Sequence, residues 1–197
     1  MSTQEIKTAT ETDVDQCIAV MSLAFSSDPG VRWMYPEPHQ YMKYFPRFVR
    51  AFGGRAFEHG TAQTIGSAAA ALWLPPGVLP DEDALAALIE ESVPASNHAA
   101  VFAVFEQMAA YHPQEPHWHL PLIGTDPSRQ RKGEGSALLR HALSVCDRQQ
   151  TPAYLEATSS TSVPLYQRHG FEVLGTIQLK SSPQIFPMLR APRKAVH

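Results

Sequence analysis

The chain of 197 residues has only two cysteines, Cys17 and Cys146. They stand far apart in segments with helical spacing, so each reads as a small, reduced core residue and not as half of a disulfide framework. Long apolar runs are missing too, and no stretch nears the ~18 residues that span a bilayer. The first residues, Met1 to Glu5, lack the basic start and apolar stretch of a secretory signal. Basic residues are in no excess. The 16 Lys and Arg face 19 Asp and Glu, which is not the electrostatic footprint of a nucleic-acid binder. These absences predict a cytoplasmic protein with neither a membrane nor a nucleic acid as partner. Internal repeats and low-complexity tracts are absent as well. With 44% hydrophobic and 18% charged residues, the chain is dry enough to bury one substantial core.

Hydrophobic spacing divides the chain into elements. Ile6 to Ala9 reads as a short strand, and Val14, Cys17, Ile18, Met21 and Phe25 share one helical face. Asp28-Pro29-Gly30 ends that helix, and an aromatic loop, Trp33-Met34-Tyr35-Pro36, leads to a second helix from about His39 to Phe52. Ala62 to Ile65 and Ala68 to Leu74 form a hairpin whose second strand is apolar on both faces. Helices follow from the acidic start at Asp81-Glu82-Asp83 and from Ser96 to Tyr111. The second half reads as strand Trp118 to Thr125, helix Gly133 to Gln149 and strand Ala153 to Thr158. A short helix from Val163 to His169 and strands Phe171 to Leu179 and Ile185 to Leu189 complete it. A crossover of that length makes the first strand pair parallel, and the terminal hairpin makes the sheet mixed.

The turn Gln130-Arg131-Lys132-Gly133-Glu134-Gly135 lies between a strand and a long amphipathic helix that begins at Ser136. Such a turn presents unpaired backbone N–H groups and the positive end of the helix dipole, which together suit a pyrophosphate. Gly133 and Gly135 let the backbone come close to an anion. The dinucleotide fingerprint needs a third glycine, and the triphosphatase loop needs a Gly-Lys-Ser/Thr ending. Both are absent. An ordinary turn that uses glycine for geometry stays open at this point.

Glu156 stands out on physical grounds. Strand alternation puts it on one face with Tyr154 and Thr158, in a sheet expected to be covered on both sides. A buried carboxylate there is costly unless paired, hydrated or used. A glutamate at a solvent-facing strand end, or one paired with arginine, is the bland alternative. For Tyr166 the bland alternative is a core aromatic. His112, His117 and His119 suggest a metal, since His117-x-His119 places two imidazoles on one strand face, but no acidic or cysteine partner stands at ligand spacing, so no metal site is expected.

The order strand, Gln130-x-x-Gly133-x-Gly135, helix, strand, then Tyr166-Gln167-Arg168-His169-Gly170-Phe171 resembles the GCN5-related N-acetyltransferase (GNAT) superfamily, closely from Trp118 to Leu179. Within it the chain looks most like the branch that includes puromycin N-acetyltransferase. Leu23-Ala24-Phe25, Ala71-Leu72-Trp73-Leu74-Pro75, Glu115-Pro116-His117-Trp118 and Val163-Pro164-Leu165-Tyr166 support this. The resemblance implies a single α/β domain over residues 1–190 and a short basic tail over 191–197. Its sheet would be mixed and mostly antiparallel, flanked by helices, with one splayed parallel pair.

The implied co-substrate is acetyl-coenzyme A, and the implied acceptor is a small-molecule amine. Gln130, Arg131, Lys132, Gly133, Glu134, Gly135 and Ser136 would hold the pyrophosphate. Leu122, Ile123, Gly124 and Thr125 would line the pantetheine arm, with a backbone N–H near Ile123 on the thioester carbonyl. Glu156 would be the general base toward the amine, and Tyr166 the acid toward the departing thiolate. Asp28, Trp33, Tyr35 and Trp73 are candidates for the acceptor pocket. Glu134 stands where relatives more often have an apolar residue, and is expected to point away, toward Arg131 or Lys132. Ser162 stands where many have asparagine touching the pantetheine arm. Acetylation of a protein N-terminus or lysine, and a non-catalytic acyl-coenzyme A sensor, stay open as alternatives. A monomer or a homodimer is expected.

Overall fold

The computed structural model describes residues 5–179 and 181–194. Residues 195–197 of the expected tail lie outside the described residues. Seven strands form one sheet: Lys7–Thr8 (β1), Ala62–Ile65 (β2), Ala69–Leu74 (β3), Trp118–Thr125 (β4), Ala153–Ala157 (β5), Glu172–Val173 (β6) and Phe186–Arg190 (β7). Their order is β1-β2-β3-β4-β5-β7-β6, and β4–β5 is the parallel pair among antiparallel neighbours. The expected fold class is the observed one.

Eight helices cover the sheet among the described residues: Val14–Ala24 (α1), Pro29–Met34 (α2), Pro38–Gly53 (α3), Arg55–Glu58 (α4), Glu82–Ser92 (α5), Ala95–Tyr111 (α6), Glu134–Gln149 (α7) and Val163–Arg168 (α8). No helix among those residues is long and apolar enough to cross a membrane. Alternation along β3 explains why that strand is apolar throughout. Ala70, Leu72 and Leu74 join the core under α1, α3 and α5, whereas Ala69, Ala71 and Trp73 join the core under α7. Small residues on β3 and β4 let helices close in. A Cβ at Gly124 would stand 2.7 Å from the Ala24 Cβ of α1.

Besides the short helix α4, which the sequence reading lacks, two elements differ from it. Asp28-Pro29-Gly30 starts a helix as well as ending one. The Asp28 carboxylate accepts the Val31 N–H at 3.0 Å, and Pro29 occupies the first turn, where its missing N–H costs nothing. The strand expected from Phe171 to Leu179 shrinks to Glu172–Val173 plus one bridge, Ile177 to Ile185. Gly175 interrupts it where the Tyr111 side chain crosses, and a Cβ there would collide with that ring.

The centre of the sheet explains the site. Leu72 faces Leu122 and Leu74 faces His119, so Trp73 alone opposes both Leu120 and Pro121. That is a β-bulge, and it falls on a residue with no N–H to give a ladder. Pairing of β4 with β5 runs only from Trp118↔Ala153 through His119↔Tyr154 to Leu120↔Leu155. It stops at Pro121. The two strands diverge beyond it, and Glu156 is the first β5 residue past the fork.

Candidate active site

The fork opens into a cavity of about 680 Å³. Its walls bring together most of the residues that the sequence singles out. Leu122, Ile123, Gly124 and Thr125 come from β4, and Gln130, Arg131, Gly133, Glu134, Gly135 and Ser136 from the turn and α7. Glu156 comes from β5, Ser162 and Tyr166 from the α8 region, and Asp28 and Trp33 from the α1–α2 corner. The β4 edge beyond Leu120 pairs with β3 on one side and has no β5 partner on the other. It is free to take an extended ligand as an added strand.

Gly133 caps α7 with φ of 96°, and the first bond within the helix runs from the Ala137 N–H to the Gly133 carbonyl. The N–H groups of Glu134, Gly135 and Ser136 therefore have no helical acceptor and converge on the cavity. Arg131, itself in the left-handed region at φ of 63°, and Arg168 add positive charge to the wall. Free N–H groups at a helix start beside two arginines form a candidate anion cradle.

The two glycines of the turn have different jobs. Gly133 is required by backbone conformation, since no atom lies within 4 Å of an added Cβ. Gly135 has no such φ, and its Cβ would stand 3.6 Å from the Thr125 hydroxyl, toward the cavity. Gly133→Ala is therefore expected to lower stability by about 1–2 kcal/mol. Gly135→Ala should leave stability the same or higher and weaken anion binding. Thermal unfolding with and without acetyl-coenzyme A separates the two; equal behaviour of both variants contradicts this division.

Other turn residues depart from expectation. Glu134 turns neither to Arg131 nor to Lys132. Its buried carboxylate meets the Arg129 guanidinium, Nη2 to Oε1, at 3.3 Å, and this offsets its charge beside the cradle. Lys132 leaves the cavity altogether and donates to the Ser128 carbonyl. The Ser162 hydroxyl, at the start of α8, donates to the Ser159 carbonyl at 2.8 Å.

Two aromatic candidates do not reach the cavity. Tyr35 has no exposed surface; it stacks on Tyr44, and its hydroxyl pairs with Ser92 at 3.1 Å. Trp73 lies on the opposite face of the sheet, in the core under α7. Both are buried for packing, which aromatic composition alone does not distinguish from a pocket wall. Trp33 does line the cavity, as do Phe48, Phe52, Phe105 and Met108. The last four went unnoticed in the sequence because they lie within the long helices α3 and α6, where apolar residues read as core.

The chemistry is concentrated at the fork. His119 Nε2 lies 3.0 Å from Glu156 Oε2, and the two side chains are only 4% and 5% exposed. The β5 alternation holds: Ala153, Leu155 and Ala157 pack under α7, and Tyr154 and Glu156 face the other way. The His119 ring packs with those of His112, His117 and Tyr154 in one cluster, with contacting centroids 4.6–5.8 Å apart. Burial, then the neighbouring His119, pushes His112 down to about 4, and burial lowers His117 as well. These two imidazoles are neutral at pH 7. Burial and the Glu156 charge hold the Tyr154 phenol up. No cluster of three metal-ligating side chains occurs among the described residues.

Across the cavity, burial and then the Asp28 charge raise the Tyr166 phenol above its usual range. It keeps its proton at neutral pH. Asp28 is itself buried, which raises its carboxyl, while hydrogen bonds from Thr158 and the Val31 N–H pull it back.

A sheet forked at its parallel pair, with a helix N-terminus aimed into the fork, is the architecture implied by the GNAT resemblance. The chain belongs to that family: residues 81–190, more than half of the protein, match the acetyltransferase (GNAT) domain. An uncharacterized N-acetyltransferase of Schizosaccharomyces pombe is 31% identical over 78 residues, 38% of this chain and 32% of that protein. The matched segment thus spans about a third of that relative.

Solved structures share the fold. A histone acetyltransferase HPA2 and related acetyltransferase from Corynebacterium glutamicum has a TM-score of 0.67 at 24% identity, covering 98% of both chains. Arylalkylamine N-acetyltransferase 2 from Aedes aegypti has a TM-score of 0.67 at 13% identity, covering 96% of this chain and 99% of its own. A Drosophila melanogaster polyamine N-acetyltransferase has a TM-score of 0.60 at 13% identity, covering 95% and 99%.

Proposed function

We propose that the protein moves an acetyl group from acetyl-coenzyme A to the primary amine of a small molecule, within the puromycin N-acetyltransferase-like branch. One observation supports this above the rest: the anion cradle of α7, the free β4 edge, Glu156 and Tyr166 share one cavity. Acetyl-coenzyme A, when bound, supplies the thioester. The protein's own groups do the remainder. Glu156 takes the proton that the amine must lose before or as it attacks. A backbone N–H of the free β4 edge, near Ile123, stabilises the oxyanion that develops on the carbonyl. The new N–C bond forms as the C–S bond breaks, and Tyr166 gives its proton to the leaving thiolate. His119 holds the Glu156 carboxylate in place. Trp33, Phe48 and Phe52 wall the acceptor side, which favours a small amine over a polypeptide.

The test is release of free thiol from acetyl-coenzyme A in the presence of an amine panel, with thermal stabilisation by the cofactor read in parallel. Stabilisation without thiol release from any amine would favour an acyl-coenzyme A sensor. Neither stabilisation nor release overturns the proposal. For the acid, Tyr166→Phe is expected to lower kcat by about 10²-fold or more while KM for the amine stays near the original. Steady-state kinetics with intact cofactor stabilisation checks it, and an unchanged kcat removes Tyr166 from the mechanism.

A further inference from the structure

A second cavity, of about 400 Å³, lies behind the first. It is formed where α5 and α6, the long insertion between β3 and β4, cover α3. Phe52, Leu85, Ile89, Phe102, Phe105 and Met108 line it. Its ionisable wall groups are Glu82, His112, His119 and Glu156, with no lysine or arginine among them. Phe52, Phe105, Met108 and Glu156 border both cavities. Glu156 is thus the point where an apolar chamber meets the cavity with the anion cradle.

We propose that this chamber binds the apolar tail of the acceptor, so that the substrate class is a monoamine with an alkyl or arylalkyl chain. The assignment rests on the transferase reading given above, and adds to it which amines are accepted. A cationic head on an apolar tail matches a chamber with the Glu156 carboxylate at its inner end, hydrocarbon through its middle and the exposed Glu82 in its outer wall. An apolar cavity of ~150 Å³ already takes a benzene ring, so this chamber has room for a ring with its linker or for an alkyl chain. A second ammonium part-way along the chain, as in spermidine, would leave water for a wall of phenylalanine and leucine before it reached Glu82, which is strongly unfavourable. Tail burial also sets the position of the head. With the chain anchored among Phe102, Phe105 and Ile89, the amine sits at Glu156 and faces the thioester end of the first cavity.

The experiment compares n-butylamine, n-hexylamine, n-octylamine, 2-phenylethylamine, agmatine and spermidine. Thiol release gives kcat/KM, and calorimetry gives binding without turnover. Each buried methylene is expected to raise kcat/KM and affinity about threefold to fourfold, with agmatine and spermidine far weaker than octylamine. Ala86→Phe, on α5 in the chamber wall, is expected to collapse the octylamine-to-butylamine ratio toward one. Ala109→Phe fills the same chamber from its exposed rim, and serves if the first variant fails to fold.

A chain-length series that is flat, polyamines that bind as well as octylamine, or filled variants that keep the wild-type ratio would each overturn the chamber. Failure of the transferase reading looks different. In that case no amine releases thiol, and calorimetry alone decides. Octylamine binding abolished by Ala86→Phe or Ala109→Phe upholds the chamber, and its absence in the wild type refutes it.

Discussion

Glu156→Gln is expected to lower kcat/KM by ~10²–10⁴-fold, the usual contribution of a positioned general base, with acetyl-coenzyme A binding unchanged. The amide keeps the size of the side chain and accepts the His119 N–H through its oxygen. Only the proton-accepting function goes. Glu156 lies off the anion cradle, so thermal stabilisation by the cofactor is the internal control. Amines of low pKa, already unprotonated at neutral pH, should lose less than alkylamines. A variant that retains wild-type rates with alkylamines at every pH would show that the amine loses its proton elsewhere. The test also distinguishes base from ion-pair partner, since a merely structural Glu156 would change stability more than turnover.

Asp147→Ala is expected to cost the fold about 3 kcal/mol, the low end for stranding a buried charge, because Arg190 is buried but Asp147 is 27% exposed. Arg190 ends β7 only 3% exposed. Its Nη1 and Nη2 donate to the two Asp147 oxygens at 2.7 and 2.9 Å, and its Nε donates to the His169 carbonyl. Asp147 also accepts the Arg193 N–H. Removing it leaves a charged guanidinium with no counter-ion, which corresponds to a melting temperature lower by roughly 10 °C for a chain of this size.

The pH dependence has a defined sign. Arg190 holds the Asp147 carboxyl below its ordinary value of 3.8, so the unfolded chain binds the proton more readily. The pair's contribution is therefore full above that ordinary value and lost as pH falls through the lower folded one. Asp147→Ala should remove that part of the acid limb of the stability curve. Asp147→Leu combined with Arg190→Met should recover much of the loss. A single variant as stable as the wild type contradicts the assignment.

Much of this was legible in the chain because its signals are local. The glycine spacing after a strand, the amphipathic stripe of α7 and the alternation of Glu156 against Leu155 each depend on a few adjacent residues. Register and distance were not. His119 and Glu156 lie 37 residues apart, and only the parallel alignment of β4 with β5 brings them together. The sequence therefore showed His119 as a metal candidate without an acidic partner, when its partner is Glu156. Pro121 was a visible warning inside an apparent strand, but its meaning depends on which strand lies beside it. Tyr35 and Trp73 show the limit for aromatics: burial in a core and exposure to a pocket leave the same mark on composition. Arg129 was found as the partner of Glu134 only because the short 3-10 turn Pro127–Arg129 folds it back.

The three residue pairs that join β4 to β5 also bear on motion. They are the seam between an N-terminal half-sheet and a C-terminal one, and His119 belongs to the middle pair. Opening the seam by a single rung at Leu120↔Leu155 would swing Glu156 with β5 and leave the imidazole on β4. Opening of that rung and loss of the His119–Glu156 contact are thus coupled. Substitutions far from the cleft, on the packed undersides of these two strands, are therefore expected to shift Glu156 against His119 without touching any ligand.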